Sequence, residues 1–249
     1  MRAYAIGDIH GHIGKLRDAH DLIDTDRRAI GDLRAPVIHV GDLVDRGPKS
    51  KAVIEFLIDG RDRGENWSVL KGNHDRMFER FMVDPGSRDV QLRDGLAWLH
   101  PALGGRATLE SYGLKSTVYS DPWEVHAEAL KLVPERHVAF LQSLPLWMRV
   151  GQAIFVHAGI KPGVPITQQV EDDLVWIRGE FHNDTRDHGA LIVHGHTPVE
   201  AATHYGNRLN IDSGAAFGGP LSVVVIEGRK AWLLTKSGRE ELEPVTVPQ

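Results

Sequence analysis

The sequence contains no cysteine and no long apolar run. Without cysteine, disulfides and thiolate metal sites are excluded, so any metal ion must be held by imidazole, carboxylate or amide groups. No apolar run approaches the roughly 20 residues of a transmembrane helix, and the chain reaches Gly7 and Asp8 too early for the apolar region of a secretory signal. We therefore expect a cytoplasmic protein without a membrane partner.

The sequence also has no excess of positive charge. The formal net charge is -5 and the isoelectric point is about 6.3, so no basic surface for a nucleic acid is expected and any phosphate recognition must be local. With 249 residues, of which 41% are hydrophobic, the chain can bury one substantial core. We predict a single domain over residues 1–249, and the sequence leaves its oligomeric state open.

Three βα units are predicted in the first third of the chain. Apolar segments at 3–7, 37–40 and 67–70 are typical of buried strands, and each is followed by a polar loop and an apolar pattern with helical spacing. Consecutive units of this kind form a parallel sheet with right-handed crossovers. The three polar loops are therefore expected to open on one edge of the sheet.

The remainder of the chain is predicted to combine a helical insertion with a second sheet, which makes the fold α/β. The insertion covers about 83–136, and 134–144 is predicted to be a further helix. Strands are expected at 146–150, 153–156 and 191–193. Antiparallel strands that complete the second sheet are expected at 201–204, 208–211, 221–226 and 230–235, with an edge element or frayed tail after Gly238.

Six potential metal ligands follow predicted strands in five separate loops. They are Asp8, His10, Asp42, Asn73, His157 and His196. Oxygen ligands mixed with imidazoles suit manganese, iron or zinc. Six ligands exceed one tetrahedral site but fit two ions about 3.5 to 4 Å apart that share a carboxylate. Each loop taken alone could equally be an ordinary turn, and Asp45 with Arg46 could be a surface ion pair.

Five motifs in this order resemble the calcineurin-like metallophosphoesterases, and specifically the bacterial PPP-type serine/threonine protein phosphatases. The motifs are GDIHG (7–11), GDLVDRG (41–47), GNHD (72–75), HAG (157–159) and HGHTP (194–198). The resemblance implies a two-sheet β-sandwich flanked by helices, with mixed parallel and antiparallel strands. It also implies two divalent metal ions, with Mn²⁺ expected and Fe or Zn as alternatives.

The resemblance assigns a role to each motif residue. Asp8 and His10 would hold the first metal and Asp42 would bridge. Asn73, His157 and His196 would hold the second metal, with His194 as the alternative to His196. A metal-bound hydroxide would attack phosphorus in line, His74 would protonate the leaving alkoxide, and Asp45 would orient His74. Arg46 and Arg178 would bind the phosphoryl oxygens, although Arg178 could instead be a surface arginine.

The resemblance favours a phosphomonoesterase acting on phosphoserine or phosphothreonine in proteins, or on small phosphate esters. The alternative is a dinucleoside polyphosphate hydrolase, which the chain resembles better at Asp75, where the protein phosphatases often have Glu. An orienting acid such as Asp45 helps most when the leaving group is poor, and this consideration puts phosphomonoesters first. A metal-stabilised binding module without catalysis is a third hypothesis. No chemistry is assigned to 210–214, and Trp98 is expected in the core or in a cleft wall.

Overall fold

The computed structural model describes residues 1–115 and 120–245, and these form two β-sheets with helices on both outer faces. Part of the predicted insertion, residues 116–119, lies outside the described residues. The first sheet has the order β11-β10-β9-β1-β2-β3. Its strands are β1 (Arg2–Ile6), β2 (Val37–His39), β3 (Trp67–Val69), β9 (Val223–Glu227), β10 (Lys230–Thr235) and β11 (Gly238–Glu241).

The parallel centre of the first sheet confirms the predicted βα units. Tyr4 lies opposite Val37, and Val37 lies opposite Trp67, in parallel register.

The helices are α1 (Ile13–Ile30), α2 (Ser50–Asp62), α3 (Asn73–Val83), α4 (Gly105–Ser111), α5 (Pro122–Leu132), α6 (Glu135–Gln142), α7 (Glu171–Trp176) and α8 (Gly179–His182). In the described part of the insertion the helices are α4 and α5.

The second sheet has the order β4-β5-β6-β8-β7. Its strands are β4 (Trp147–Val150), β5 (Ala153–Val156), β6 (Leu191–His194), β7 (Thr203–His204) and β8 (Arg208–Asn210). The prediction that all strands after residue 200 close this sheet was wrong. β9 extends the first sheet antiparallel to β1, β10 pairs antiparallel with β9, and β8 pairs with β6 in parallel. A β-rich pattern indicates a strand but does not specify its partner.

The alternation of side chains along the strands produces the layers. In β1, Ala3 and Ala5 point into a core shared with Phe155 and Val193 of the second sheet, whereas Tyr4 packs in the core under the helices. A third apolar cluster covers the outer face of the second sheet and includes residues of α7 and α8. The two mixed sheets packed face to face confirm the predicted α/β sandwich. Within the described ranges, no helix is both long and apolar enough to cross a membrane.

The edge strand β11 is fastened to α1 by a bidentate ion pair. Arg239 donates from Nε and Nη2 to the two carboxylate oxygens of Asp26, at 2.8 and 2.7 Å, and the hydroxyl of Tyr4 donates to the same carboxylate at 2.6 Å. Burial would raise the pKa of Asp26, but the hydrogen bonds from Arg239 and Tyr4 outweigh it and lower the pKa below its ordinary value. The pair thus stabilises the fold while Asp26 is ionised.

We expect Arg239→Met to lower the free energy of unfolding by about 2 kcal/mol at pH 7, because it leaves a buried carboxylate without its cation. A lowered pKa in the folded state gives stability that is present above the unfolded pKa of about 3.9 and lost as the pH falls through the folded value. The difference from the unmodified chain should therefore shrink below about pH 4. Urea titrations from pH 7 to 3 measure it. Lys230→Met, in an exposed pair with Glu241 at 3.6 Å, is the control and should change little. A loss of stability that does not vary with pH would contradict this account.

Candidate metal centre

Five loops that follow strands bring the six predicted ligands to one place. Asp8 and His10 follow β1, and Asp42 follows β2; Asn73 begins α3 after β3, while His157 and His196 follow β5 and β6. All six are buried, with at most 7% of any residue exposed. The parallel pairing within each sheet places the carboxyl ends of these strands together. Residues up to 188 positions apart in sequence, such as Asp8 and His196, are thus in hydrogen-bond contact.

Asp42 lies at the centre of the cluster. Its Oδ2 is 3.4 Å from Nε2 of His10, and its Oδ1 is 3.3 Å from Nε2 of His157. Two groups of potential ligand atoms, each within 4.8 Å of one another, therefore share Asp42: one contains His10 and His74, and the other contains His157 and His196. Burial would raise the pKa of Asp42, but the surrounding imidazoles, His157 foremost, outweigh it and lower the pKa. Asp42 is in the position that a bridging carboxylate requires.

The tautomers of two histidines can be deduced from their carbonyl partners. Nδ1 of His10 lies 2.7 Å from the oxygen of Val44, and Nδ1 of His157 lies 3.0 Å from the oxygen of Val40. A carbonyl oxygen only accepts, so Nδ1 carries the proton and the lone pair of Nε2 faces the cluster. Burial lowers the pKa of both imidazoles and favours the neutral form. Nε2 of His157 therefore presents a lone pair to a cation, and the lone pair of His10 accepts a hydrogen bond from Nη1 of Arg46 at 2.7 Å.

The amide oxygen of Asn73 completes the second group. Oδ1 of Asn73 lies 2.9 Å from Nε2 of His157 and 2.8 Å from Nδ1 of His196. Since Nε2 of His157 carries a lone pair, this contact places two acceptors against each other. Such convergence is unfavourable unless a cation lies between them.

Asp8 supplies an unsatisfied carboxylate oxygen. Its Oδ2 accepts a hydrogen bond from the backbone N–H of His196 at 3.0 Å, whereas its Oδ1 is buried without a hydrogen-bond partner among the residues that the structure describes. Burial and then the neighbouring carboxylates of Asp212 and Asp42 raise the pKa of Asp8. A divalent cation would satisfy Oδ1 and offset the repulsion among the three carboxylates. The residues present therefore fit a metal centre.

The loops are held in unusual backbone conformations. Within residues 1–115 and 120–245, the non-glycine residues with positive φ are His10, Asp42, Asp45, Arg46 and His196, at 44° to 72°. All five belong to the predicted site. Left-handed backbone at such residues costs of order 1 to 3 kcal/mol each and persists only where the surrounding structure enforces it. Glycine contributes here too, because a Cβ at Gly72 or Gly195 would collide with the carboxylates of Asp42 or Asp8.

His74 and Asp45 form a short pair beside the cluster. Nδ1 of His74 lies 2.6 Å from Oδ2 of Asp45, and the backbone N–H of His74 donates to Asp42 Oδ1 at 3.0 Å. Asp45 is completely buried and also accepts from Nε1 of Trp98 at 2.8 Å and from the hydroxyl of Thr108 at 2.7 Å. The imidazole of His74 is therefore fixed at Nδ1, as a general acid requires.

The two predicted arginines border the cluster differently. Nη1 of Arg46 lies 2.7 Å from Nε2 of His10, and its half-buried guanidinium faces the ring of Phe217. Arg178 is exposed and lies over the ring of Trp176, which contacts His196 edge-on. Arg46 therefore contacts the cluster directly, whereas Arg178 borders it through Trp176.

His194 lies away from the ligands. Its Nδ1 is 3.1 Å from the carbonyl oxygen of Gly195, its Nε2 is 3.4 Å from Arg208, and its ring stacks on His182. The structure thus brings His196 into the cluster and leaves His194 behind it.

The roles of four residues of the site do not follow from the sequence: the carboxylates of Asp75 and Asp212, and the two side chains that donate to Asp45, which are Trp98 and Thr108. Asp75 accepts hydrogen bonds from the backbone N–H groups of Gly72, at 2.8 Å, and Leu43, at 2.9 Å, and so joins two of the loops. Asp212 faces Asp8, and burial raises its pKa to about 6. Its place just after β8 resembles that of the other site residues and could have revealed it. Trp98 and Thr108 lie in no motif.

Comparison with known proteins places this site in a family. The model of the calcineurin-like phosphoesterase family matches residues 1–225. The bis(5′-nucleosyl)-tetraphosphatase PrpE [asymmetrical] of Geobacillus thermodenitrificans is 26% identical over 250 residues, which cover 90% of each chain. The protein of the same name from Anoxybacillus flavithermus is 31% identical over 202 residues, or 74% of this chain and 73% of that one.

A solved structure has the same fold. It belongs to a protein provisionally named a diadenosine tetraphosphatase, with a TM-score of 0.61, 21% identity, and coverage of 93% of this chain and 92% of the other. On the match to residues 1–225 and the similarity to these relatives, the chain belongs to the calcineurin-like phosphoesterase family.

Proposed function

We propose that this protein hydrolyses bis(5′-nucleosyl) polyphosphates at a pair of divalent metal ions. The observation that carries the substrate class is its similarity, over 90% of both chains, to a protein named for that activity. The complete cluster of buried carboxylate, amide and imidazole ligands supports retention of catalysis. It weighs against a metal-stabilised binding module.

The family uses a dinuclear divalent metal centre, and the ligands here fit one. Asp8, His10 and Asp42 would hold one ion, and Asp42, Asn73, His157 and His196 the other. The pair supplies positive charge for the phosphates and lowers the pKa of bound water toward neutrality. Neutral imidazoles with hard oxygens suit Mn²⁺, which we propose, and also Fe or Zn.

The chain's own residues bind the substrate and move a proton. Arg46 and Arg178 would bind phosphoryl oxygens through their planar guanidinium groups. The N–H group at Nδ1 of His74 donates a hydrogen bond to Asp45, which leaves Nε2 as the atom that would deliver a proton to the departing phosphate oxygen.

The comparisons favour dinucleotides over phosphomonoesters, which reverses the order expected from the sequence. That order was based on Asp45, because an acid that orients His74 helps most when the leaving group is poor. Asp45 has a structural role as well, because its carboxylate also accepts the hydrogen bonds of Trp98 and Thr108 and fastens the insertion to the site. Its presence therefore does not discriminate between leaving groups. Because the His74–Asp45 pair, at 2.6 Å, would serve a poor leaving group equally well, a serine/threonine phosphatase activity is the second candidate.

A direct competition tests the proposal. Protein loaded with Mn²⁺ receives diadenosine tetraphosphate and a phosphoserine peptide together, and kcat/KM for the dinucleotide should be at least about tenfold higher, or about 1.4 kcal/mol in the transition state. Asymmetric cleavage should give AMP and ATP. A preference for the peptide would favour the second candidate, and inertness of the metal-replete protein toward both would revive the binding module.

A further inference from the structure

A cleft of about 450 Å³ lies beside the candidate metal centre, and Arg46 belongs to its lining. Its lining comes from the described part of the insertion and from the turn after β8. The lining residues used below are Arg46, Pro101, Ala107, Arg106 and Phe217. The volume lies within the usual range of small-molecule sites, about 300 to 1,000 Å³.

Arg46 connects the cleft to the centre. Its Nη1 lies 2.7 Å from Nε2 of His10, inside the ligand cluster, while its guanidinium carbon lies 5.1 Å from the centroid of the Phe217 ring. Its backbone N–H donates to the carbonyl oxygen of Gly104 at 3.2 Å, which positions the insertion as the opposite wall. A molecule whose phosphates lie at the cluster and at Arg46 would therefore continue toward Phe217.

Phe217 is an exposed ring on a rigid turn. It is 68% exposed, although the turn Ala215–Phe217 is held by Lys15, whose Nζ donates to the carbonyl oxygens of Ala215 at 3.1 Å and Gly219 at 2.6 Å. An exposed phenylalanine ring lacks the favourable free energy of burial. The turn that carries Phe217 is nevertheless held in place by its contacts with Lys15. An exposed aromatic face beside a cation is the arrangement that binds a nucleobase by stacking.

The walls of the cleft suit the rest of a nucleotide. Pro101 and Ala107 give apolar surface, and the guanidinium of Arg106 adds a second positive charge. Burial lowers the pKa of Arg106, and Glu110 opposes this effect. The cleft therefore combines a flat apolar face with two cations and one carboxylate, that of Glu110, and the apolar face and the cations match a base joined to phosphate.

We propose that this cleft binds one nucleoside 5′-phosphate end of the substrate, with its base stacked on Phe217 and its phosphates along Arg46 and Arg106. This assignment rests on the proposed function and adds the element that distinguishes a dinucleotide from a plain phosphate ester.

The test is Phe217→Leu, which keeps an apolar side chain and removes the ring. Trp123→Leu is the matched control, because Trp123 is 62% exposed on α5 and does not line the cleft. For each protein, kcat and KM are measured with diadenosine tetraphosphate and with inorganic tetraphosphate, which has no base. Binding of AMP is measured separately by calorimetry.

Loss of base stacking should raise KM for the dinucleotide about fivefold to a hundredfold and lower the ratio of its kcat/KM to that of inorganic tetraphosphate by a similar factor. AMP should bind Phe217→Leu more weakly by the same factor, and Trp123→Leu should match the unmodified protein. If AMP binds the unmodified protein and Phe217→Leu equally, or binds neither, the cleft is not a nucleotide site. If AMP binding depends on Phe217 but the dinucleotide is not hydrolysed, the cleft assignment holds and the proposed function fails.

Discussion

Asp42→Asn should reduce both metal content and turnover. Asp42 is the one residue shared by the two groups of ligand atoms, and its two oxygens face His10 and His157 separately. Asparagine keeps the shape and one acceptor oxygen but removes the charge that would bridge two cations. We expect bound Mn²⁺ to fall from about two ions to one or fewer per chain, and kcat to fall at least about a hundredfold, or about 2.7 kcal/mol.

The measurements are elemental analysis after gel filtration and steady-state kinetics in excess Mn²⁺. Because asparagine is isosteric, the metal-free variant should keep the circular dichroism spectrum of the metal-free unmodified protein, which separates loss of metal from loss of fold. Asp187→Asn, which removes a carboxylate from an exposed ion pair with Arg229, is the control. Full metal content together with unchanged turnover in Asp42→Asn would show that the cluster does not bridge two ions.

The sequence predicts that the candidate ligands lie together, but it does not predict which strands the later β-segments pair with. A ligand at the end of a parallel strand can be recognised in a short stretch of sequence, because an apolar run stops just before Asp8 or Asp42. The parallel sheet then brings the ends of such strands together. The pairing of β9 with β1 is not local, because Val223–Glu227 has the same β-rich character whether it joins the first sheet or the second. Sequence pattern defines the strand, and its neighbours are set by packing.

The parts of the site that escaped prediction lie where no short pattern exists. Trp98 and Thr108 are 53 and 63 positions from Asp45, and only the folded insertion brings them to it. The turn that carries Phe217 is held by Lys15, which lies about 200 positions away in the sequence. The backbone strain at His10 and His196 also escaped, since it arises from the loops as they pack.

His74→Asn should lower kcat by about a hundredfold to ten-thousandfold for substrates with poor leaving groups, which is the range for a general acid. The loss should be much smaller for an acidic leaving group, because an oxygen that departs readily as an anion needs little protonation. Phenyl phosphate and 4-nitrophenyl phosphate share the transferred phosphoryl group and differ in the leaving group. The ratio of their kcat values therefore isolates proton donation from binding.

Metal content of the same variant decides between two roles for His74. Its ring nitrogen lies within 4.8 Å of ligand atoms of His10 and Asp42, so His74 could instead be a metal ligand. If His74 is a general acid, the His74→Asn variant should still bind about two Mn²⁺ ions per chain. If His74 is a metal ligand, the variant should bind fewer. Asp45→Asn provides the comparison, since it keeps the imidazole but removes the carboxylate 2.6 Å from Nδ1. The Asp45→Asn variant should retain its metal ions. Its kcat should depend on the leaving group in the same direction as that of His74→Asn, but less strongly. If kcat falls by the same factor for both esters and metal is lost as well, His74 is a metal ligand. The departing oxygen then has no assigned proton donor.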